Sequence, residues 1–343
     1  MTTPSHLERY ARQTVLPAIG REGQERLLAA RVAVIGCGAT GTVIANHLAR
    51  AGVGYLRIVD RDWVELNNLQ RQLLYDEDDV RAARPKAAAA EAHLRRVNSS
   101  IQVEGVVQDV NASTVEELID NCDLVMDGTD NFETRYVVND ACVELGKPWV
   151  YCGAVSTYGM TLLVRPGDSP CLRCLFPEPP PAGSAATCDT AGVLGPAVSV
   201  VASHAATEAL KWLVGAHDAL AEGLLHVDVW DLSWRLFEVQ RKDDCPCCAR
   251  GEFPFLQVDA VSHATALCGR GAVQITPARR VKLDLEALGA RLRPVGPTTV
   301  TPHLLKLEVE PFEITVFPDG RAVIEGTAEE AEARSLYARY VGT

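Results

Sequence analysis

The sequence predicts an α/β fold: a doubly wound, Rossmann-like, mainly parallel sheet with a C-terminal antiparallel extension, followed by a small separate α/β module. Three observations carry that expectation. The short apolar run Arg31-Val32-Ala33-Val34-Ile35 ends on Gly36-Cys37-Gly38-Ala39-Thr40-Gly41, a G-x-G-x-x-G turn. Strand-like and helix-like segments then alternate as far as Trp149-Val150-Tyr151, as parallel strands joined by helical crossovers must. From about Phe255 the chain turns into a tail with its own helix and strand signals.

Each element has its own reason. The run before the glycines reads as a strand buried in a parallel sheet. Thr42 to Ala51 continues as a helix that Gly52-Val53-Gly54 ends, and Tyr55 to Asp60 is a second strand closing on an aspartate. That is one βαβ unit with the glycine loop at its first strand-to-helix turn. Alanine-rich Pro85 to Val97 reads as a helix and Ile101 to Val107 as a strand. Thr114 to Asn121 is the next helix, Asp123 to Asp127 a buried strand, and Asn131 to Leu145 a helix. Met160 to Val164 and Leu225 to Val229 look like further strands, followed by Trp234 to Arg241, with a long apolar helix from Pro196 to Leu213. Pro177 to Ala186, rich in proline, glycine, serine and alanine, begins a crossing loop that runs to about residue 190. The tail, 255–343, reads as a strand near Val281, a helix from Asp284 to Leu292, three strands between His303 and Glu325, and a helix from Glu329 to Tyr340. Pro318-Asp319-Gly320 is a hairpin turn. The tail carries no chemical motif, and the chemistry of the preceding part is expected to proceed without it.

Composition narrows the function classes. A chain of 343 residues with 47% hydrophobic and 23% charged residues can bury a core, which excludes global disorder. The net charge of −12 argues against a nucleic-acid partner, because phosphate binding needs a basic face. Met1 to Arg12 has no apolar h-region, and no run of 18 apolar residues exists, so neither a secretory signal nor a membrane span is expected and the chain is read as cytoplasmic. The eleven cysteines are then expected as thiols or metal ligands rather than disulfides.

The glycine loop alone does not choose its ligand. Gly36, Gly38 and Gly41 let backbone approach a phosphate at a helix N-terminus, and Asp60 can accept from ribose hydroxyls; both features suit NAD, FAD and ATP alike. Arg71, shortly after the second strand, and Lys86, opening the next helix, add two cations. Singly each could be a solvated surface charge; together they suit nucleotidyl transfer, where charge builds on a pyrophosphate leaving group. Asp127-Gly128-Thr129-Asp130-Asn131 closes a buried strand, where an aspartate can hold Mg²⁺ or cap the following helix. Cys171-x-x-Cys174 and Cys245-x-x-Cys248 supply four thiolates for a closed, structural Zn²⁺ site, with Cys247 leaving the ligand choice open. Cys37, Cys122, Cys142 and Cys152 lie in apolar context and read as core residues.

Residues 9–250 resemble the ThiF/MoeB/HesA family, bacterial relatives of ubiquitin-activating enzymes. The matching stretches are Arg9-Tyr10-Ala11-Arg12-Gln13, the glycine loop, Asn68-Leu69-Gln70-Arg71-Gln72, Pro85-Lys86, Thr129-Asp130-Asn131 and the paired CxxC motifs. The resemblance implies an ATP-dependent adenylyltransferase, spanning about residues 1–250, that activates the C-terminal Gly-Gly carboxylate of a small ubiquitin-like sulfur-carrier protein. It implies that Asp60 binds the ribose, that Asn68, Arg71 and Lys86 hold phosphates, and that Asp130, beside Asn131, binds Mg²⁺. It implies a homodimer in which Arg12 reaches the partner's site, and a cysteine at the position of Cys188 that forms an acyl-disulfide or thioester in some members and is dispensable in others. Ala39 stands where the family often has glycine. The rival functions are a nicotinamide-dependent oxidoreductase and a non-catalytic scaffold for a ubiquitin-like partner.

Overall fold

Strands buried on both faces read as unbroken apolar runs, and the computed structural model, which describes residues 7–179, 191–257, 263–267, 271–277 and 282–341, builds its larger sheet around such strands. These are β1 (Arg31–Ile35), β2 (Tyr55–Val59), β4 (Leu124–Asp127) and β5 (Trp149–Val155), joined by the edge strand β3 (Gln102–Val106), of which only Val103 is buried, and by β6 (Tyr158–Val164), β7 (Leu224–Asp228) and β8 (Ser233–Phe237). Their order is β3-β2-β1-β4-β5-β6-β7-β8. Pairs from β3 to β5 are parallel, and those from β5 to β8 are antiparallel. The chain therefore has the doubly wound sheet and the antiparallel extension that the sequence predicts.

Alternation along β1 sends its side chains to two cores. Val32 and Val34 pack with Ile44, Leu48, Leu94, Val201 and Ala205, so α3 (Ala39–Ala51), α5 (Lys86–Val97) and α9 (Gly195–Val214) cover one face. Ala33 and Ile35 pack with Val115, Leu118, Tyr136 and Ala141, from α6 (Val115–Ile119) and α7 (Phe132–Glu144) on the other. Each such fully buried Leu or Ile contributes roughly 1.5–3 kcal/mol. Helix α3 starts three residues earlier than its sequence pattern suggests, and Gly52, with φ +88°, ends it by returning its N–H to Leu48 O at 3.1 Å. The short helices α1 (Ala11–Thr14), α2 (Gly20–Ala29), α4 (Glu77–Arg81) and α8 (Leu172–Leu175) complete this part.

β1 pairs with β2 on one side and β4 on the other, so the connections leave their carboxyl ends in opposite directions. A doubly wound sheet opens its ligand crevice at that point.

The chain divides into two compact units, Met1–Gln257 and Val258–Thr343. The second holds β9 (His263–Leu267), β10 (Ala272–Thr276), α10 (Leu285–Leu292), β11 (Thr298–Val300), β12 (Leu305–Val309), β13 (Phe312–Val316), β14 (Ala322–Glu325) and α11 (Glu330–Tyr340). Its antiparallel sheet runs β11-β12-β13-β14-β10-β9, around Leu288, Leu292, Leu305, Leu307, Ile314, Val316, Ile324 and Leu336. The expected turn at Pro318–Gly320 joins β13 to β14, with Phe317 N–H bonded to Arg321 O at 2.8 Å and Gly320 at φ +86°. Cys188, most of the crossing loop and the strand expected near Val281 lie outside the described residues. No described helix is long and apolar enough to cross a membrane.

Candidate active site

Three glycines bring two turns into backbone contact at the crevice. Gly36 takes φ +83° and donates its N–H to Val59 O at 2.7 Å. A Cβ there would meet the Gly128 backbone at 2.7 Å; one on Gly41 would lie 2.1 Å from Gly36 O, and one on Gly128 2.2 Å from the same oxygen. The β1–α3 and β4–α7 turns can approach this closely only without side chains. Gly38 differs: a Cβ there would find only Gln72 Nε2, at 3.8 Å. Its side of the turn is open, and no side chain caps the first turn of α3. The free N–H groups and positive dipole end of that helix therefore face a space that suits a phosphate.

Asp60, just past β2, is fixed at the mouth of the same crevice. Its carboxylate accepts from Cys37 N–H at 2.6 Å and from Asp62 N–H at 2.8 Å. Burial pushes its carboxyl above the ordinary range, against the pull of Lys86. Lys86 is the first residue of α5, with Pro85 as its cap, and its side chain is only 7% exposed. Its Nζ lies 3.1 Å from Asp62 Oδ2. Burial works against that charge, yet Asp62, Asp60 and Asp130 together hold the ammonium above the ordinary lysine range. Tyr75 Oη, shared between the Cys37 carbonyl at 2.7 Å and the Lys86 carbonyl at 3.2 Å, stitches the glycine loop to α5. Cys37 itself is a core thiol that burial raises to about 12; it is no nucleophile at neutral pH.

The segment after β4 divides its acidic and amide groups among distinct tasks. Asp127 is 2% exposed and pairs with Arg135 Nε at 2.9 Å. It also accepts from Thr129 N–H at 2.9 Å and Thr129 Oγ1 at 2.6 Å. Arg135 Nη2 returns to Thr129 O at 2.7 Å. Asn131 caps α7 by accepting from Thr134 N–H. Asp130, exposed between them, accepts from Asn131 Nδ2 at 3.4 Å. Of the two roles the sequence allows here, Asn131 takes the capping one, while Asp127 is committed to its ion pair with Arg135. Arg135→Met should strand Asp127 as an uncompensated buried charge. Denaturant unfolding is expected to show a loss of about 3–5 kcal/mol; a loss under 1 kcal/mol would mean that the pair does not hold this turn.

Asn68 is buried, and its side chain works inside the turn at Leu66–Asn68, accepting from Glu65 N–H at 3.1 Å and donating to Asn67 Oδ1 at 2.6 Å. Half-buried Arg71 follows, its Nη1 on Asn67 O at 2.8 Å. Arg12 lies elsewhere. Its neighbour Gln13 bonds Ala51 O at 2.9 Å, at the far end of α3 from the glycine loop. With a rise of 1.5 Å per residue, that separation is roughly 18 Å, beyond the reach of one arginine. Exposed Arg12 thus does not serve the site of its own chain. Ala39 is the first residue of α3.

The sulfurs of Cys171, Cys174, Cys245 and Cys248 gather within 4.8 Å of one another. Neighbouring pairs stand 3.9, 3.6 and 3.5 Å apart. That is far longer than the disulfide bond of about 2.05 Å, and near the ~3.8 Å that a tetrahedral ion with Zn–S of about 2.3 Å imposes. Cys247 is outside the set, its sulfur 3.3 Å from Asn139 Nδ2. Four convergent thiols with no open position fit a structural zinc.

Sequence reasoning missed Asp62, Tyr75 and Arg135. Asp62 had a signal, as the second acid of Asp60-Arg61-Asp62 at a strand end; Tyr75 had none, because Cys37 is 38 residues away, and Arg135, only eight residues from Asp127, reads in sequence as one more polar residue of a helix.

The ThiF family model matches residues 10–247. The chain is 45% identical over 337 residues to the sulfur carrier protein ThiS adenylyltransferase of Bacillus subtilis, covering 97% of this chain and 99% of that one. It is 42% identical over 273 residues to the sulfur carrier protein adenylyltransferase of Thermus thermophilus, covering 78% and 98%. Among solved structures, E. coli MccB with ATP superposes with a TM-score of 0.62 at 24% identity, covering 70% of this chain and 74% of that one, which is a likeness of fold alone.

Proposed function

The chain belongs to the ThiF family, and from that premise we propose that it uses ATP to adenylate the C-terminal carboxylate of a small ubiquitin-like sulfur-carrier protein ending in Gly-Gly. The observation that carries this reading is the convergence on one crevice of an uncapped helix N-terminus, fixed Asp60 and charged Lys86, with Asp130 left exposed. A dinucleotide site needs the first two; a triphosphate to be split also needs the cation and the spare acid.

Asp60 accepts from the ribose, and the first turn of α3 and Lys86 bind the phosphates, with Arg71 beside them. Asp130 is the residue that would hold Mg²⁺, which when bound neutralises phosphate charge and draws the phosphates into one geometry. A carrier carboxylate oxygen attacks the α-phosphorus as the bond to the pyrophosphate oxygen breaks, giving an acyl-adenylate and pyrophosphate. Positioning and charge neutralisation suffice for that step, and no protein nucleophile enters it. Arg12, unable to reach its own site, is assigned to the crevice of a second copy, so the working unit is a homodimer. Cys188 is reserved for a later covalent transfer of the activated carrier. The Thermus relative is matched over 98% of its length by 78% of this chain, which supports adenylation without the whole of the second unit.

The carrier is assigned to the β7–β8 edge. Trp234, Leu236 and Phe237 on β8 are 59, 54 and 46% exposed, with Trp230 and Leu232 exposed in the preceding turn. An edge strand carrying this much exposed apolar surface marks a protein-binding site. The test is ATP–pyrophosphate exchange with a Gly-Gly carrier. Exchange should require the carrier's terminal glycine, and Trp234→Ala with Leu236→Ala should raise the carrier KM about tenfold or more while leaving the ATP KM unchanged. Tight NAD binding without carrier-dependent exchange would overturn the reading.

A further inference from the structure

We propose that Asp62 is a positioning residue of this site, keeping the Lys86 ammonium charged and aimed at the phosphates of the nucleotide. The inference rests on the adenylation reading and deepens it. Lys86 is tied to Asp62 at both ends: its main-chain N–H donates to Asp62 O at 2.8 Å, and its Nζ lies 3.1 Å from Asp62 Oδ2. The tie is built into the backbone. Val64 N–H donates to Arg84 O at 2.9 Å and Trp63 bridges Pro85, so residues 62–64 run alongside 84–86.

Asp62 is itself held. Its N–H donates to Asp60 Oδ1 at 2.8 Å. Its other carboxylate oxygen stands 3.8 Å from Arg61 Nε, and Arg61 Nη1 pairs with Asp109 Oδ1 at 2.8 Å. The acid that meets the ribose, the acid that holds the lysine and the lysine are thus one connected frame.

The need for such a partner follows from burial. A lysine is a point charge on a flexible four-carbon stem, and one removed from water tends to lose its proton unless an opposite charge faces it. The groups facing Lys86 are Asp62, Asp60, Asp130 and the protonated Cys37 thiol. Asp60 spends its oxygens on two backbone N–H groups, and Asp130 is exposed to water. Asp62 alone hydrogen-bonds the ammonium among these. An ammonium has three donors; one goes to Asp62, and two remain for phosphate oxygens.

The experiment uses the full chain with Asp62→Asn and with Asp62→Glu, which restores the charge. The first readout is the labelling rate of Lys86 by an amine-reactive reagent at pH 8.5, followed by peptide mass spectrometry. Asp62→Asn should label at least about tenfold faster than wild type, a shift of one pH unit or more in the ammonium, with Asp62→Glu close to wild type. The second is the pH profile of carrier-dependent exchange, whose alkaline limb should move down by a similar interval in Asp62→Asn as the ATP KM rises. Wild-type labelling and a wild-type alkaline limb in Asp62→Asn would overturn the proposal, as would Asp62→Glu labelling as fast as Asp62→Asn. Labelling needs no turnover, so a wild-type chain without exchange would sink the adenylation reading while labelling still decides the role of Asp62.

Discussion

Asp130→Asn is expected to lower carrier-dependent ATP–pyrophosphate exchange by about a hundred- to a thousand-fold while leaving the melting temperature where it was. The two halves of that expectation come from the same local geometry. Asp127 is locked to Arg135 and Thr129, and Asn131 caps α7, so the turn is held without Asp130. Removing an exposed carboxylate with one long contact should change stability by no more than about 0.5 kcal/mol. Catalysis is another matter. On the proposed adenylation reading, Asp130 is the acid that would hold Mg²⁺, and its amide analogue would lose the charge that a hard divalent ion needs. Steady-state exchange and thermal unfolding on the same preparation separate the effects. A variant that keeps a third of the exchange would end the metal-holding role, and one that melts early would place Asp130 in the scaffold. A non-catalytic scaffold predicts no such asymmetry, since it gives this exposed acid nothing to do.

How far the site could be read in advance depended on whether a residue's partner is near it in sequence. The doubly wound sheet was legible because β1, β2 and β4 are apolar on both faces and end at glycine or aspartate. Gly36 and Gly41 were legible as a turn, but not the reason for them, which is Gly128 pressing from the next crossover. Asp60 and Lys86 could be named singly; their link through Asp62 could not, because it depends on residues 62–64 lying beside 84–86. β9 escaped notice because Ala264-Thr265-Ala266-Leu267 has as much helical as strand character on its own; β10, Ala272 to Thr276, was missed although its β-branched alternation was a strand signal. Antiparallel pairing to β10, itself paired to β14, decides the matter. Cys247 shows the same limit. Its place between Cys245 and Cys248 made it a rival ligand although the x₂ spacing favours those two, and the fold turns it to Asn139.

Cys174→Ser should release the zinc proposed for the four-cysteine cluster and lower the melting midpoint by about 10 °C or more, and the loss should reach the active site through α7. Cys171 is the N-cap of α8 and Cys174 lies within it; that helix's Leu172 N–H donates to Asn139 Oδ1 at 2.9 Å and its Arg173 faces Asp140 at 3.6 Å. Asn139 and Asp140 are fully buried on α7, the helix that begins at Phe132, two residues after Asp130. From the other knuckle, Arg241 donates to Cys248 O at 2.6 Å and Gly167 O at 2.8 Å. An ion held by all four thiolates would therefore clamp the far half of the helix whose first turn carries the Asp130 segment. Without it, the three remaining thiols, Cys171, Cys245 and Cys248, have no covalent tie, and the α7 anchorage rests on hydrogen bonds worth about 1 kcal/mol each. Metal content should fall from one zinc per chain to near zero, and exchange should survive in the cold but fail on warming below the wild-type midpoint. A reductant should change nothing in the wild-type protein, since the sulfurs stand too far apart for disulfides. Full metal content in Cys174→Ser, or a reductant-sensitive wild type, would replace the clamp with different sulfur chemistry.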